Sequence, residues 1–421
     1  MTRGVADWPT RPGAGAGPSL RILHIIDGLG LGGAEVQLLR LLRYLPAGRF
    51  AHVVCHIGPP ADLAEQIRAM DIPVHDLSKA GRRSMLAATV SLVGHIRRYR
   101  PGLIHTDGLY SSPCGRLAGL MTHLPVLTTI GNTLGNPFRR PVALRRRALV
   151  RRVIWQANRI TAHLTRCHFM AVTGAVRDSV VRVFGVDPDR VAVIYRGIDL
   201  AQMGQQAPAT ISALRSEVAP PDAWPLLINV GRLARQKGQE ELIRAVAIVR
   251  RRYPKVYLLL VGDGPLAANY RAVASECSVG DAVRFLGRRS DVPALLQASD
   301  LFVFPSLYEG AAGAMLEAMA MHRPIVASEI PTLVEAAGDA AVWAPSRNAP
   351  ALAEAIMHLA ARPEVWRSMG ARGRRIVEQR FDIKPNASEF GRLCERLAAR
   401  RGTAAMRSDA RSTIPASRTS P

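Results

Sequence analysis

Lysine is nearly missing from this chain. Lys79, Lys237, Lys255 and Lys384 are the whole complement among 56 basic residues, so the formal net charge of +23 over 421 residues rests on arginine. Such a balance favours anionic partners, although an Arg-rich coding bias produces the same preference without a function. Aromatic residues make up only 5% of the chain, which leaves no stacking platform for single-stranded nucleic acid. There is no run of 18 uninterrupted apolar residues, and residues 1–18 lack the apolar centre of an export signal, so neither a spanning helix nor secretion by that route is expected. The five cysteines stand apart with no CxxC spacing, which argues against a zinc site or a disulfide framework and fits a reducing cytoplasm. With 48% hydrophobic residues the composition is that of an ordinary α/β protein large enough for two domains.

What is present is concentrated in residues 286–335. The run 301–305 is short and apolar, as suits a strand buried on both faces of a parallel sheet, and 313–321 has helical spacing. Between them lies Glu309-Gly310-Ala311-Ala312-Gly313, whose small side chains leave the backbone N–H groups open at a helix start. That geometry suits a phosphate. Two carboxylates flank it, Glu309 before the helix and Glu317 about one turn inside. A carboxylate accepts paired hydrogen bonds from a vicinal diol, so acids on either side of an anion site suit a nucleotide sugar.

The segment YEGAAGAMLEAMA, between an apolar strand ending PSLYEG and the run RPIVASEIPTLVE, resembles the donor-site signature of family-4 type retaining glycosyltransferases of GT-B fold. The likeness spans about residues 20–395. It implies two Rossmann-like doubly wound domains facing across a cleft, and transfer of a hexose-type sugar from a nucleoside diphosphate sugar with retention and no obligatory metal or cofactor. The donor would be a uridine or guanosine diphosphate sugar. The resemblance assigns Arg232, Lys237 and Glu309 to catalysis, and Gly32, Gly33, Gly310, Ala311, Ala312, Gly313 and Glu317 to the donor, with the loops at Gly262, Gly264 and Arg288 near its base and ribose. Two features depart from the common pattern. Ala-Ala-Gly-Ala replaces the aromatic, Gly, aliphatic, Pro run, and no histidine stands near residue 132, where Asn132 is the substitute.

Strands alternating with helices through both halves predict parallel sheets. Residues 1–18 and 402–421 read as disordered tails, 19–205 as an acceptor-binding domain, 206–224 as a linker, 225–380 as the nucleotide-sugar domain, and 381–401 as a helix crossing back. Asp187-Pro188-Asp189 imitates a DxD metal motif, but its proline makes it a turn. A helix starting at Pro141 would place Arg147, Arg151 and Trp155 on one outward face and Leu149, Val153, Ile160 and Leu164 on the inward one. This predicts peripheral contact with an anionic membrane at the cytoplasmic face, and a glycan or lipid-linked acceptor of cell-surface polysaccharide or glycolipid synthesis. Alternatives are a GT-B nucleotide-sugar epimerase, or a non-catalytic basic protein binding membrane or nucleic acid. Paired acids beside a phosphate loop speak against a nucleic-acid partner.

Overall fold

A computed structural model describes residues 20–77, 85–135, 145–165 and 167–412, with side chains described at all but 145–151 and 401–412. The tail read over 1–18 lies outside the described residues, as do 413–421.

Seven parallel strands form the first sheet: β1 Leu20–Ile26, β2 Phe50–His56, β3 Val74–Asp76, β4 Leu103–Asp107, β5 Val126–Ile130, β6 His168–Ala171 and β7 Val191–Val193, in the order 3-2-1-4-5-6-7. Six more form the second: β8 Leu226–Val230, β9 Tyr257–Val261, β10 Val283–Gly287, β11 Leu301–Phe304, β12 Ile325–Ser328 and β13 Val342–Ala344, in the order 10-9-8-11-12-13. Helices accompany the first sheet as α1 Gly33–Tyr44, α2 Ala64–Arg68, α3 Met85–Tyr99, α4 Ser111–Thr122, α5 Arg145–Leu164 and α6 Gly174–Phe184. The second carries α7 Pro208–Val218, α8 Gln239–Arg250, α9 Ala267–Glu276, α10 Val292–Ala298, α11 Gly313–Ala320, α12 Pro331–Ala337, α13 Ala349–Ala360 and α14 Trp366–Arg380, and the last helix is α15 Ile383–Ser412.

In each sheet the strand order reverses beside the first strand, between β1 and β4 and between β8 and β11. Loops leaving two such neighbouring strands diverge to opposite faces and open a crevice at the carboxyl edge. The apolar strands explain this layering. Leu301, Phe302, Val303 and Phe304 are all buried, as are Leu226, Leu227 and Ile228, because helices cover both faces.

Two segments differ from the sequence reading. Residues 206–224 are not a bare linker: α7 lies within them, and Leu214 and Val218 are buried in the core of the second sheet. The helix begins at Pro208, and its two buried positions are too few to register as a pattern. The last helix runs to Ser412, past the expected start of the tail at 402. Its early part packs on the first sheet, where Ala387, Phe390 and Leu397 meet Ile22, Leu103 and Leu127.

Under that helix lies a chain of buried imidazoles. His24 meets His105 at 2.9 Å and His52 at 3.0 Å, and His105 Nε2 is 2.7 Å from the Thr129 hydroxyl. Neutral rings satisfy every one of these links with one proton each. Burial holds all three below the usual histidine range, His52 down to about 4 and His105 down to about 3. The domains are joined by Glu335, at the end of α12, which accepts from the Gly174 and Ala175 N–H groups at 2.7 and 2.9 Å and so caps α6 across the boundary.

The imidazole chain predicts acid sensitivity. The folded pKa values lie below the unfolded one, so the unfolded chain binds more protons, and stability is fully present above about pH 6.5 and declines as pH falls toward 4. Each such histidine contributes a slope of up to about 1.4 kcal/mol per pH unit. Urea unfolding at intervals from pH 7 to pH 4.5 should show a falling midpoint, and His52→Leu should flatten the fall. A midpoint independent of pH would refute the account.

Candidate active site in the interdomain cleft

The carboxyl edges of the two sheets face each other across a cleft of about 780 Å³. Its volume is in the range of small-molecule sites.

The wall from the second domain is built by two loops locked to each other. After β8 the chain enters a tight turn, Arg235–Lys237, and after β11 it enters residues 305–312. Leu307 N donates to the Gln236 carbonyl at 2.8 Å, and the Gln236 amide donates to the Tyr308 carbonyl at 3.0 Å. Gly238 sits at φ +65°, where a Cβ would lie 2.0 Å from the Pro305 carbonyl oxygen, so only glycine allows the approach. Within this frame Lys237 Nζ lies 2.6 Å from Glu309 Oε1, and the Ser306 hydroxyl donates to the same oxygen at 2.7 Å. Glu309 is 6% exposed. The chain then turns through Ala312, at φ +48°, into α11, whose start has no side-chain cap. Residues 310–314 line the cleft. One turn on, Glu317 is met by Arg40 of α1 at 3.1 Å, and Arg40 also donates to the Gly197 carbonyl. Burial raises the Glu317 carboxyl above its usual range, and the Arg40 guanidinium opposes that rise.

The first domain supplies Gly30–Gly33, Glu35, Arg40, Gly131, Asn132 and Arg196. Asp27 fixes this edge: its carboxylate takes the N–H groups of Leu109, Tyr110 and Ser111 at 2.7, 3.0 and 2.7 Å, anchoring the start of α4. Arg196 stands 3.7 Å from Asp107, the last residue of β4. Burial pushes the Asp107 carboxyl up to about 7; Arg196 opposes the shift, and the charges of Glu35 and Asp27 add to it. The walls touch at Gly310, where a Cβ would lie 1.9 Å from the Gly131 carbonyl oxygen and 2.9 Å from Asn132 Cα.

Arg232, Lys237, Glu309, Gly310, Ala311, Ala312, Gly313, Glu317, Gly262 and Arg288 thus share one cleft with Gly32, Gly33 and Asn132. Gly264 does not line it and instead packs against the Leu233 carbonyl. Asp187, Pro188 and Asp189 form a capped turn, with the Asp187 carboxylate accepting from Asp189 N at 2.9 Å.

Where its side chains are described, α5 reverses the faces of the sequence reading. Trp155 points inward onto Phe184, ring centroids 5.6 Å apart, while Val153, Ile160 and Leu164 are exposed. Arg147, Leu149 and Arg151 lie on the same helix with side chains outside the described residues. The cause is Arg116 of α4, a buried cation that donates to the Asn158 carbonyl at 3.0 Å and lies 3.4 Å from the Thr161 hydroxyl. Meeting it turns a polar face of α5 inward, which hydrophobic spacing alone cannot anticipate. Arg40, Glu35 and Arg196 were also missed. Arg196 had a signal, since it lies in the loop just past β7 at the carboxyl edge; Arg40 had none among so many arginines.

Residues 31–202 match the family described as Glycosyltransferase Family 4, and residues 224–362 match Glycosyl transferases group 1. The chain is 28% identical over 368 residues to the D-inositol 3-phosphate glycosyltransferase of Saccharomonospora viridis, covering 82% of this chain and 84% of that one. It is 25% identical to a UDP-Gal:alpha-D-GlcNAc-diphosphoundecaprenol alpha-1,3-galactosyltransferase of Escherichia coli, covering 74% of this chain and 80% of that one. In fold it is similar to Anabaena HepE in complex with UDP-glucose, at TM-score 0.77 and 21% identity, covering 89% of this chain and 99% of that one. The two facing Rossmann-like domains are the GT-B arrangement.

The contact at Gly310 predicts that Gly310→Ala forces the sheet edges apart without unfolding either domain. Small-angle scattering should show a larger radius of gyration at an almost unchanged melting temperature. An unchanged radius would mean that the loop, not the domain contact, yields.

Proposed function

The chain belongs to the group 1, family-4 glycosyltransferases, and from that premise we propose that it moves a hexose-type sugar from a nucleoside diphosphate sugar to a glycan or lipid-linked acceptor, with retention of configuration. The observation that carries this reading is the convergence of Arg232, the Lys237–Glu309 pair, the loop 310–313 and Glu317 on one cleft.

In this reading residues 225–380 hold the donor. The loop amides and Arg232 face the diphosphate, and Lys237 keeps two ammonium protons for it beyond the one directed at Glu309. These fixed cations stabilise the two charges that develop as the nucleoside diphosphate leaves, with no step assigned to a metal. Glu317 receives the ribose hydroxyls and Glu309 the transferred sugar, while Gly32 and Gly33 approach the phosphates from the other wall. Gly262 and Arg288 border the base and ribose. Residues 19–205 would receive the acceptor, with Asn132 beside the reacting sugar and Arg196 available to an acceptor phosphate. Relatives named for an inositol phosphate and for a diphosphoundecaprenol-linked sugar support such an acceptor, and the reaction would then run at the cytoplasmic face of the membrane. A relative named for transfer from UDP-Gal supports a uridine diphosphate sugar as the first donor to test, with a guanosine diphosphate sugar as the other. Melting with UDP, GDP, ADP and dTDP tests the donor class, because a bound nucleotide stabilises by mass action. If none of the four raises the melting temperature, the reading fails.

Lys237→Ala should lower kcat about a hundredfold or more, as loss of one electrostatic donor does. The same change leaves the Glu309 carboxylate buried without its cation, so the melting temperature should fall too. Adding Glu309→Gln should restore the melting temperature, which reads stability alone. If Lys237→Ala kept the wild-type kcat when assayed well below its own melting temperature, the role of Lys237 would be structural.

The two carboxylates should separate in calorimetry. Glu317→Gln should weaken binding of the free nucleotide, whereas Glu309→Gln should leave it near normal and depress transfer. Equal loss of nucleotide affinity in both would refute one carboxylate per sugar.

A further inference from the structure

Positive charge is not spread evenly over the chain. Between Asp76 and Asp178 stand sixteen arginines and Lys79 but a single acid, Asp107, so 16 of the 23 net charges fall in this stretch. Asp107 is largely buried at the end of β4, facing Arg196. The stretch builds α3, α4 and α5, none of which contains an acidic residue, and all three lie on the same face of the first sheet. The opposite face is covered by α1, α2 and α15.

The same three helices expose large apolar side chains. Leu86 and Val90 of α3 are 69% and 59% exposed, Met121 of α4 is 58%, and Val153, Ile160 and Leu164 of α5 are 59%, 56% and 61%. On α5 the three fall at i, i+7 and i+11, one stripe of the helix. The exposed Arg152 and Arg159 immediately precede Val153 and Ile160, and neither has an ion-pair partner among the described residues. An apolar stripe of this kind flanked by unpaired arginines is costly in water unless something covers it.

We propose that the outer face of α3, α4 and α5 docks on an anionic lipid surface, with Val153, Ile160 and Leu164 entering the headgroup boundary and Arg152 and Arg159 meeting the phosphates. Charge selects this occupant. A second copy of the chain in a two-fold pair would bring the same acid-free helices against each other, like charge against like. A nucleic acid would satisfy the arginines but gain nothing from aliphatic side chains, where aromatic rings would be needed. A bilayer surface uses both, with each basic residue raising the partition coefficient roughly fivefold and the apolar stripe adding buried area. No helix among the described residues is long and apolar enough to cross a membrane, so contact here is with the surface. The proposal does not depend on the transferase reading, since it stands on a different face.

Flotation of the full chain with vesicles tests it. Wild type should float with phosphatidylglycerol/phosphatidylcholine vesicles and stay behind with phosphatidylcholine alone. Val153→Ser, Ile160→Ser and Leu164→Ser together should lower the partition coefficient at least tenfold, and Arg152→Glu with Arg159→Glu should do the same, both at the wild-type melting temperature. Wild type that ignores anionic vesicles would overturn the proposal, as would either variant floating like wild type. A dimer in sedimentation velocity that the triple serine variant dissolves would overturn it in favour of a second copy.

Discussion

Everything in the cleft depends on how closely two backbone edges approach. Gly310 of one domain lies against the Gly131 carbonyl of the other, at a separation that no side chain fits. That contact fixes the distance between the glycine loop after β1 and the start of α11, and so decides that Gly32, Gly33, Lys237 and Glu309 border one volume rather than two. The neighbouring requirement at Gly238 works on the same principle within the second domain, holding the Lys237 loop against the loop after β11. Small residues here serve proximity, and the cost is backbone freedom surrendered on folding.

Although the chain is strongly basic, its cleft is nearly balanced. Lys237 is matched by Glu309, Arg40 by Glu317 and Arg196 by Asp107. Two of these pairs are internal to a domain, and the Arg40–Glu317 pair crosses the gap. Pairing of this kind places cations before any ligand arrives, which lowers the reorganisation needed when new negative charge appears. It also means that the surplus of arginine has to be accounted for elsewhere on the surface.

Much of this was legible in the sequence because it obeys local rules. Parallel strands buried on both faces leave apolar runs such as 301–305, and a loop without side chains leaves glycine and alanine, as at 310–313. What could not be read depends on partners distant in sequence. The inward face of α5 is dictated by Arg116 from another helix, so Asn158 and Thr161 point in and Val153 points out, against the hydrophobic pattern. Arg40 reaches Glu317 across 277 positions, and nothing near either residue announces the pair. Residues 206–224 hide a helix because within it only Leu214 and Val218 are buried. In each case a tertiary contact overrode a local pattern.

Nine arginines on α3, α4 and α5, with no acid among them, give the first domain a charge asymmetry across its sheet, positive on the side of those helices. A field acts on a dipole as a torque before it acts as a net pull. Within roughly 8 Å of a charged plane at physiological salt, where screening no longer hides the asymmetry, the protein would be turned before it is held. Its first collision with such a plane is therefore not random in orientation. The strands of the first sheet would then run along the plane, and the cleft at their carboxyl edge would lie beyond the end of the docked helices rather than beneath them.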